Sequence, residues 1–335
     1  EHEQKDMCET VGGCFMDLMG GVYRINPLEP KCWDDGSGPE DRDAPEAFRK
    51  STRLSQHISF LKDFFRAYKD FSDRHIDAIE IMVGKLYAKW GISDSTNFAG
   101  LKPQDYPILS DLYKLIEQEY RENDGNSHQL YTAELLQEIL VGLHSMCQGA
   151  EAQFFNGHTN VTSSRFIVFG VKGLLQASKN VRGAMLFNIL SYMSDRLLTI
   201  GNTTAALDEL YIWLSDNVAV GTTIIEYIRN CLKRVRKKES AMLLASQNLE
   251  DFNQEGIREL TKPLFAIPPH QFLFNAGAVD KKFYMEALQL EESEYNLIRF
   301  PQRGVCLYRC GNERYLLEVH APAYKEALFG KAGGR

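Results

Sequence analysis

The sequence lacks the long apolar runs and the excess of positive charge that would assign it to two common classes of protein. No window approaches the roughly 18 uninterrupted apolar residues that a membrane-spanning helix needs, and the first ten residues are polar, unlike a signal peptide. The formal net charge is −7. That charge argues against a surface built mainly to bind nucleic acid, although it leaves room for a local basic patch.

Paired cysteine motifs and a serine nucleophile motif are also missing. The seven cysteines include no Cys-x-x-Cys pair, and no Gly-x-Ser-x-Gly segment occurs. An odd number of unpaired cysteines favours buried, reduced thiols in a cytosolic protein over a disulfide framework. Cys306, Cys310 and His320 lie close in sequence, but their spacing fits a zinc site poorly.

The composition is that of a globular protein, with 44% hydrophobic and 25% charged residues. The segment Cys14–Phe15–Met16 predicts a short strand between glycine pairs, and residues 33–43 predict an acidic loop at a boundary. Residues 44–148 then show apolar positions at three- and four-residue steps and no convincing strand. This pattern predicts an all-helical module, with helices over 58–71, 75–90, 111–119 and 131–146.

After Gly149, short apolar runs alternate with helical segments. The runs predict strands at 165–171, 205–207, 241–246 and 270–276, and the segments between them predict helices at 182–199 and 217–238. This alternation is typical of βαβ units, so we expect an α/β fold with a mainly parallel sheet. Two further runs near the carboxyl end predict a hairpin that turns at Gly311–Asn312.

Polar side chains follow two of the predicted strands. Asp208 and Glu209 come directly after the run 205–207, and Gln247 lies in the Ser-Gln-Asn segment after the next strand. Because ligands of parallel α/β sheets bind at the carboxyl ends of the strands, these side chains are expected to face one crevice. An apolar strand ending in Asp-Glu is the Walker B pattern of nucleotide hydrolases, but the same pattern occurs where a strand simply reaches solvent.

Six segments occur in an order that resembles one protein family. They are YRINPLEP (23–30), PILSDLY (107–113), FFNGHTNV (154–161), LDELYIWL (207–214), LKRVRKK (232–238) and LASQNLEDF (244–252). Together they resemble the conjugative-transfer ATPases of type IV secretion systems, of the VirB and TraE types. The resemblance implies a RecA-like P-loop NTPase core with an inserted all-helical subdomain. The resemblance assigns residues 1–32 and 156–335 to the motor domain and residues 33–155 to the insertion.

The resemblance also implies roles for five residues. Asp208 would hold Mg²⁺ through water, and Glu209 would orient or deprotonate the attacking water and help to bind the nucleotide. Gln247 would sense the γ-phosphate of ATP. Arg234 and Arg236 would be arginine fingers or phosphate contacts, acting in the same subunit or on a neighbouring one.

A simpler interpretation of the basic segment stays open. Arg229, Lys233 and Lys237 are spaced four residues apart, as on a solvated helical face near a helix C-terminus, where cations are favourable.

The phosphate-binding loop that such a motor needs is missing from the sequence. No segment matches Gly-x-x-x-x-Gly-Lys-Ser/Thr, and in the family this loop lies just upstream of the part that resembles residues 1–13. We therefore expect the chain to begin after the loop. By itself it should bind ATP weakly or not at all and be inactive, whereas the complete protein would hydrolyse ATP with Mg²⁺.

The resemblance implies partners and a location as well. The implied partners are other subunits of the secretion or conjugation machine, further copies of the same chain, and transferred DNA. The copies would form a homo-oligomer that is a hexamer in the complete protein. The location is the cytoplasm, with peripheral association at the inner face of the bacterial cell membrane. Two alternatives stay open: a DNA-translocating ATPase of the coupling-protein type, and a non-catalytic scaffold or interaction module.

Overall fold

The computed structural model describes residues 2–31, 52–123, 130–161, 164–213, 218–247, 249–253, 258–275, 277 and 279–329. The chain forms two compact units, residues 1–201 and 202–335, and both are mixed α/β. The predicted acidic loop at 33–43 lies outside the described residues. The division into 1–32, 33–155 and 156–335 stays a prediction.

Unit 1 consists of helices and one pair of parallel strands. Its elements are α1 (His2–Thr10), β1 (Cys14–Asp17), α2 (Arg53–Tyr68), α3 (Asp73–Lys89), α4 (Leu109–Glu122), α5 (Ala133–Cys147), α6 (Ala152–Phe155), β2 (Ile167–Gly170), α7 (Lys172–Gln176) and α8 (Lys179–Asp195). Strands β1 and β2 pair in parallel, with Cys14 opposite Ile167. No strand occurs among the described residues between them, in agreement with the predicted helical module.

Five helices of unit 1, α2, α3, α4, α5 and α8, form where the apolar periodicity predicts them, whereas the short helices α1, α6 and α7 were not predicted. The Thr52 side chain caps α2 by accepting a hydrogen bond from the Ser55 backbone N–H at 3.1 Å. The face of α2 that carries Phe60 and Phe64 is fully buried. It packs on α8, which is buried on almost every side. A helix that is apolar all round belongs in a core, so α8 is the central helix of this unit.

Unit 2 begins with a second pair of parallel strands. Its elements are β3 (Thr204–Leu207), α9 (Val218–Arg234), β4 (Ala241–Leu244), α10 (Arg258–Ala266), β5 (His270–Leu273), α11 (Lys281–Leu288), α12 (Glu292–Leu297), β6 (Val305–Cys310), β7 (Glu313–Glu318) and α13 (Ala323–Phe329). Strands β3 and β4 are parallel, and Leu207 lies opposite Leu244. The helix α9 connects them, as expected for a βαβ unit.

The single mainly parallel sheet that the sequence predicts is not what the described residues form. They form three small sheets, β1–β2, β3–β4 and β5–β6–β7. Strand β5 is antiparallel to β6, with His270 opposite Cys310, so it does not extend the parallel pair. Its apolar pattern fitted either arrangement, because periodicity shows that a strand exists and not which strand it pairs with.

The predicted closing hairpin is present. Strands β6 and β7 are antiparallel, with Cys310 opposite Glu313, and Gly311 has φ +57° in the two-residue turn. A positive φ at the first turn residue is the geometry that glycine favours in tight hairpins. One face of this sheet, through Leu273 and Leu307, packs on Leu288 and Ile298 to form the core of unit 2.

Across the described part of the chain, no helix has both the length and the apolar character that crossing a membrane requires.

Candidate functional site

The acid pair and Gln247 lie together at the carboxyl ends of β3 and β4. The backbone hydrogen bonds between β3 and β4 continue beyond the ends of the strands. The Ala245 N–H donates to the Leu207 carbonyl at 2.9 Å, and the Leu210 N–H donates to the Ala245 carbonyl at 2.8 Å. Asp208 and Glu209 are therefore held between two fixed backbone contacts. The structure brings together the three side chains that the sequence predicted at one sheet edge.

Glu209 has an unusual backbone conformation. Its φ is +49°, in the left-handed region that L-residues avoid. The Asp208 carboxylate accepts a hydrogen bond from the Glu209 N–H at 3.0 Å, and the next residue returns to the ladder. Non-glycine residues in this conformation cost of order 1–3 kcal/mol and cluster at functional sites. The strain marks Glu209 as a residue that the surrounding structure holds in place.

The Glu209 side chain has one bonded oxygen and one oxygen without a partner. Gln247 Nε2 donates to Glu209 Oε1 at 2.5 Å. Glu209 Oε2 is shielded from solvent and has no hydrogen-bond partner within the described residues. Burial, followed by the charge of Asp208, raises the pKa of Glu209. A carboxylate with a raised pKa and an unused acceptor oxygen can take a proton from a water molecule.

The donor set fits a magnesium ion that arrives with phosphate. Asp208 is exposed beside Glu209, whereas no group of three or more His, Cys, Asp or Glu side chains within the described ranges could hold a metal ion by itself. Magnesium is usually held by one or two carboxylates together with substrate phosphates and water, not by an all-protein cage. The acid pair has the number and kind of oxygen ligands for that arrangement.

The poorly spaced zinc candidate, formed by Cys306, Cys310 and His320, has other contacts in the structure. Cys306 and Cys310 are free thiols on β6, and Cys306 is buried. His320 contacts Glu318 at 3.1 Å.

The two predicted arginines lie at the other end of the β3–β4 pair. Arg234 ends α9 and Arg236 lies in the 3-10 turn (Val235–Lys238) that leads into β4. The Asn202 N–H donates to the Lys238 carbonyl at 2.9 Å, so this turn lies beside the amino end of β3. Asp208 lies six positions after Asn202, which is about 20 Å of extended chain. Neither arginine pairs with an acid among the described residues, and neither is close to the acid pair of its own chain.

Sequence reasoning missed a buried polar junction in unit 1. Asn26 is fully buried; its side chain donates to the Pro107 carbonyl at 2.9 Å, and its backbone N–H donates to Thr159 Oγ1 at 3.0 Å. The Ser110 N–H donates to Asn156 Oδ1 at 2.9 Å. Three of the quoted sequence segments, 23–30, 107–113 and 154–161, therefore meet around Asn26. The sequence signal available for this buried junction was the asparagines in these segments. Asparagine is common in turns, so the residues by themselves indicate a turn and not a buried contact.

Lys31 and His57 extend this junction into the core. Both are buried. Lys31 Nζ donates to the Asn26 carbonyl at 2.9 Å and to the Glu29 carbonyl at 3.2 Å. The Lys31 N–H lies 3.4 Å from His57 Nδ1, which accepts from it. A lysine without a buried carboxylate partner is rare in a core, and here two backbone carbonyls take its place.

The charges around His57 keep its ring neutral. Burial, followed by the cations Lys31 and Arg53, lowers the pKa of His57 well below 6.5. Burial also lowers the pKa of Lys31, against the opposing charges of Glu29 and Asp195. Since His57 Nδ1 accepts from the Lys31 N–H, the neutral ring carries its proton on Nε2, which has no hydrogen-bond partner within the described residues. A second proton would have to bind at Nδ1 and displace that backbone donor.

Comparison with known proteins gives a structural match that covers nearly the whole chain. No family model matches the sequence. An uncharacterized protein of Bacillus anthracis is 26% identical in a match that covers 59% of this chain and 32% of that protein. The chain thus spans about a third of that relative's length. VirB4 of Thermoanaerobacter pseudethanolicus is 26% identical, with a TM-score of 0.80, over 97% of this chain and 81% of that one. This match confirms the resemblance inferred from the six segments.

Proposed function

We propose that this chain, a structural match to the type IV secretion ATPase VirB4 over 97% of its length, is part of an ATP-hydrolysing motor of a secretion or conjugation apparatus. In this proposal the strands around the acid pair belong to a RecA-like core, and residues 33–155 form its helical insertion. The complete protein would couple hydrolysis to pilus assembly or to the transfer of DNA or protein.

The observation that carries the proposal is the arrangement at Glu209. A strained backbone aims a partly buried carboxylate with an unpartnered oxygen at the sheet edge where α/β proteins bind ligands. Glu239 is also left-handed away from this edge, so what distinguishes Glu209 from a strand end that simply reaches solvent is its unpartnered oxygen beside Asp208. The hydrogen bond from Gln247 fixes the carboxylate in one orientation.

In the proposed reaction the residues of this chain position and deprotonate a water molecule. Bound with the triphosphate, Mg²⁺ supplies positive charge that offsets the charge of the phosphates. Glu209 Oε2 accepts the proton of the attacking water, and Gln247 holds the other oxygen. Asp208 is placed to bind the metal through water, because its carboxylate is exposed beside Glu209.

The position of the arginines supports action between subunits. With about 20 Å of strand between the two ends, Arg234 and Arg236 would reach the triphosphate held by a neighbouring copy. This is the trans alternative of the two that the sequence left open. It requires a homo-oligomer, which we propose is a hexamer in the complete protein, associated with other secretion subunits at the inner face of the cell membrane.

The phosphate-binding loop would come from outside these 335 residues. The sequence contains no Gly-x-x-x-x-Gly-Lys-Ser/Thr segment, and the β- and γ-phosphates of ATP need its backbone amides and lysine. We therefore expect the complete protein to hydrolyse ATP and this chain alone to bind Mg-ATP weakly or not at all.

A glutamate variant of the complete protein tests the catalytic assignment. Glu209→Gln keeps the shape and the acceptor for Gln247 but removes the base, so ATP turnover should fall by about 10²–10⁴-fold while nucleotide binding persists. Glu239→Gln is the matched control, because Glu239 is an exposed glutamate with φ +54° at the opposite end of β4. Unchanged turnover in Glu209→Gln would refute the role proposed for Glu209. Absence of turnover even in the wild-type complete protein would favour a non-catalytic scaffold.

Mixing two inactive variants tests action between subunits. A Glu209→Gln protein and an Arg234→Ala/Arg236→Ala protein should each be inactive. If the arginines act on a neighbour, co-assembled mixtures contain interfaces with both intact parts and recover part of the turnover. Mixed oligomers that form and stay inactive would place the arginines in some other role.

A further inference from the structure

A basic cleft in unit 2 lies apart from the acid pair. It has a volume of about 650 Å³ and lies between α10, the end of α11 and the start of β5. Lys233, near the end of α9, and Arg309, on β6, also line it. The size is that of a cavity that holds several side chains of a ligand.

The charge of the cleft is opposite to that of the whole chain. Among the described residues, its lining carries the cations Lys233, Arg258, Lys262 and Arg309 against one acid, Glu286, whereas the chain has a net charge of −7. Oppositely charged surfaces steer and orient a binding partner, so this lining favours an anionic ligand.

Two of these cations have no carboxylate partner. Neither Lys233 nor Arg309 forms an ion pair with a described residue, whereas Lys262 contacts Glu259 at 2.6 Å. Arg309 donates one hydrogen bond to the Leu288 carbonyl at 2.5 Å. Burial, followed by the charge of Arg314, lowers the pKa of Arg309. A partly desolvated guanidinium of this kind gains from a carboxylate brought by a ligand.

The rest of the lining is apolar. It includes Phe252, Phe265 and Phe283 together with three prolines, Pro263, Pro268 and Pro269. Phe252 and Phe265 pack edge to face with their centroids 5.3 Å apart, which gives the cleft a fixed aromatic wall. Such a surface binds aromatic or aliphatic side chains.

The cleft also presents hydrogen-bond acceptors. Gln271 donates to the Phe265 carbonyl, but its Oε1 is shielded from solvent and has no partner within the described residues. The C-terminal ends of α10 and α11, which carry partial negative charge, line the cleft as well. Phosphate groups offer no donors to such acceptors, whereas a peptide offers its backbone N–H groups. The acceptors therefore favour a peptide over a nucleotide or DNA.

We propose that the basic cleft binds an acidic peptide segment of a partner protein. Its carboxylates would contact Lys233 and Arg309, and an aromatic or aliphatic side chain would pack against the wall of phenylalanines. The inference does not depend on ATP hydrolysis, because none of these residues belongs to the acid pair.

A fluorescein-labelled short peptide in which Asp and Glu alternate with Phe and Leu is the probe. Fluorescence anisotropy with the 335-residue chain should show saturable binding that weakens as salt is added. Two control peptides carry Lys in place of the acids or Ser in place of the apolar residues, and a labelled oligothymidine is the nucleic-acid arm. Equal binding of either control peptide, or displacement of the probe by oligothymidine, would overturn the proposal.

Variants locate the binding to the cleft. Ala287→Glu puts a negative charge into the lining, and Lys233→Glu and Arg258→Glu reverse exposed cations, so each should weaken binding by about tenfold or more. Lys325→Glu, an exposed change on α13 outside the cleft lining, is the matched control, and Glu209→Gln should also bind normally. Because the lysine and arginine changes are on the surface, folded variants that bind the probe as tightly as the wild type would refute the assignment.

Discussion

Acidification should destabilise unit 1 through His57. Its pKa in the folded chain is well below 6.5 because it is buried beside Lys31 and Arg53, while in the unfolded chain the ring is solvated and titrates near 6.5. Between these two values the unfolded chain binds the proton and the folded chain does not. The free energy of unfolding therefore rises with pH in this window: the contribution is fully present above pH 6.5 and is lost as the pH falls.

The magnitude follows from the separation of the two values. Each pH unit below the unfolded value of about 6.5 costs about 1.36 kcal/mol until the folded ring also titrates. The loss at about pH 5 is therefore up to about 2 kcal/mol, a large part of the stability of a typical domain.

A non-titrating variant isolates this contribution from the carboxylates that also titrate. In His57→Asn the amide oxygen can still accept from the Lys31 N–H, which His57 Nδ1 accepts in the wild type, but no proton can bind. Hydrogen exchange of the amides of α2, measured for both proteins at about pH 7.5 and pH 5, reports on unit 1 alone. The stability difference between them should shrink at the lower pH, by up to about 2 kcal/mol. His320→Gln, at an exposed position, is the control, and a difference that does not change with pH would refute the reasoning.

Two further predictions concern the acid pair in the complete protein. Gln247→Leu removes a hydrogen bond that favours ionised Glu209, so the pKa of Glu209 should rise further. The acidic limb of the kcat–pH profile should then move up by about one pH unit. A limb that stays in place would contradict this prediction. Glu209→Gly relieves about 1–2 kcal/mol of left-handed strain and adds about 0.5–1 kcal/mol of backbone entropy to the unfolded chain. Because the change also removes the hydrogen bond from Gln247, worth about 0.5–1.5 kcal/mol, its Tm should stay close to the wild-type value although turnover is lost. Glu239→Gly, also at a positive φ, should behave alike in stability and keep turnover.

The sequence predicted the site edge for a simple geometric reason. Neighbouring parallel strands end at the same side of a sheet, so the acids after one strand and the amide after the next had to lie close together. The helices of unit 1 were equally accessible, because apolar spacing and capping threonines are local signals.

Partners that are distant in sequence were not accessible. β5 pairs with β6 and not with the parallel strands, and its own residues fit both arrangements. Asn26 takes partners 81 and 133 residues away, so its buried role has no local signal. The left-handed backbone of Glu209 was hidden as well, because glutamate does not prefer that conformation.

The order of residues along the chain determined which side chains could act: two acids behind one apolar strand, an amide behind the next, and a basic segment between them. Folding decided their distances. The parallel pairing of β3 and β4 put Gln247 against Glu209 and put the basic segment at the far end of the same strands, because each strand carries its two ends to opposite edges of the sheet.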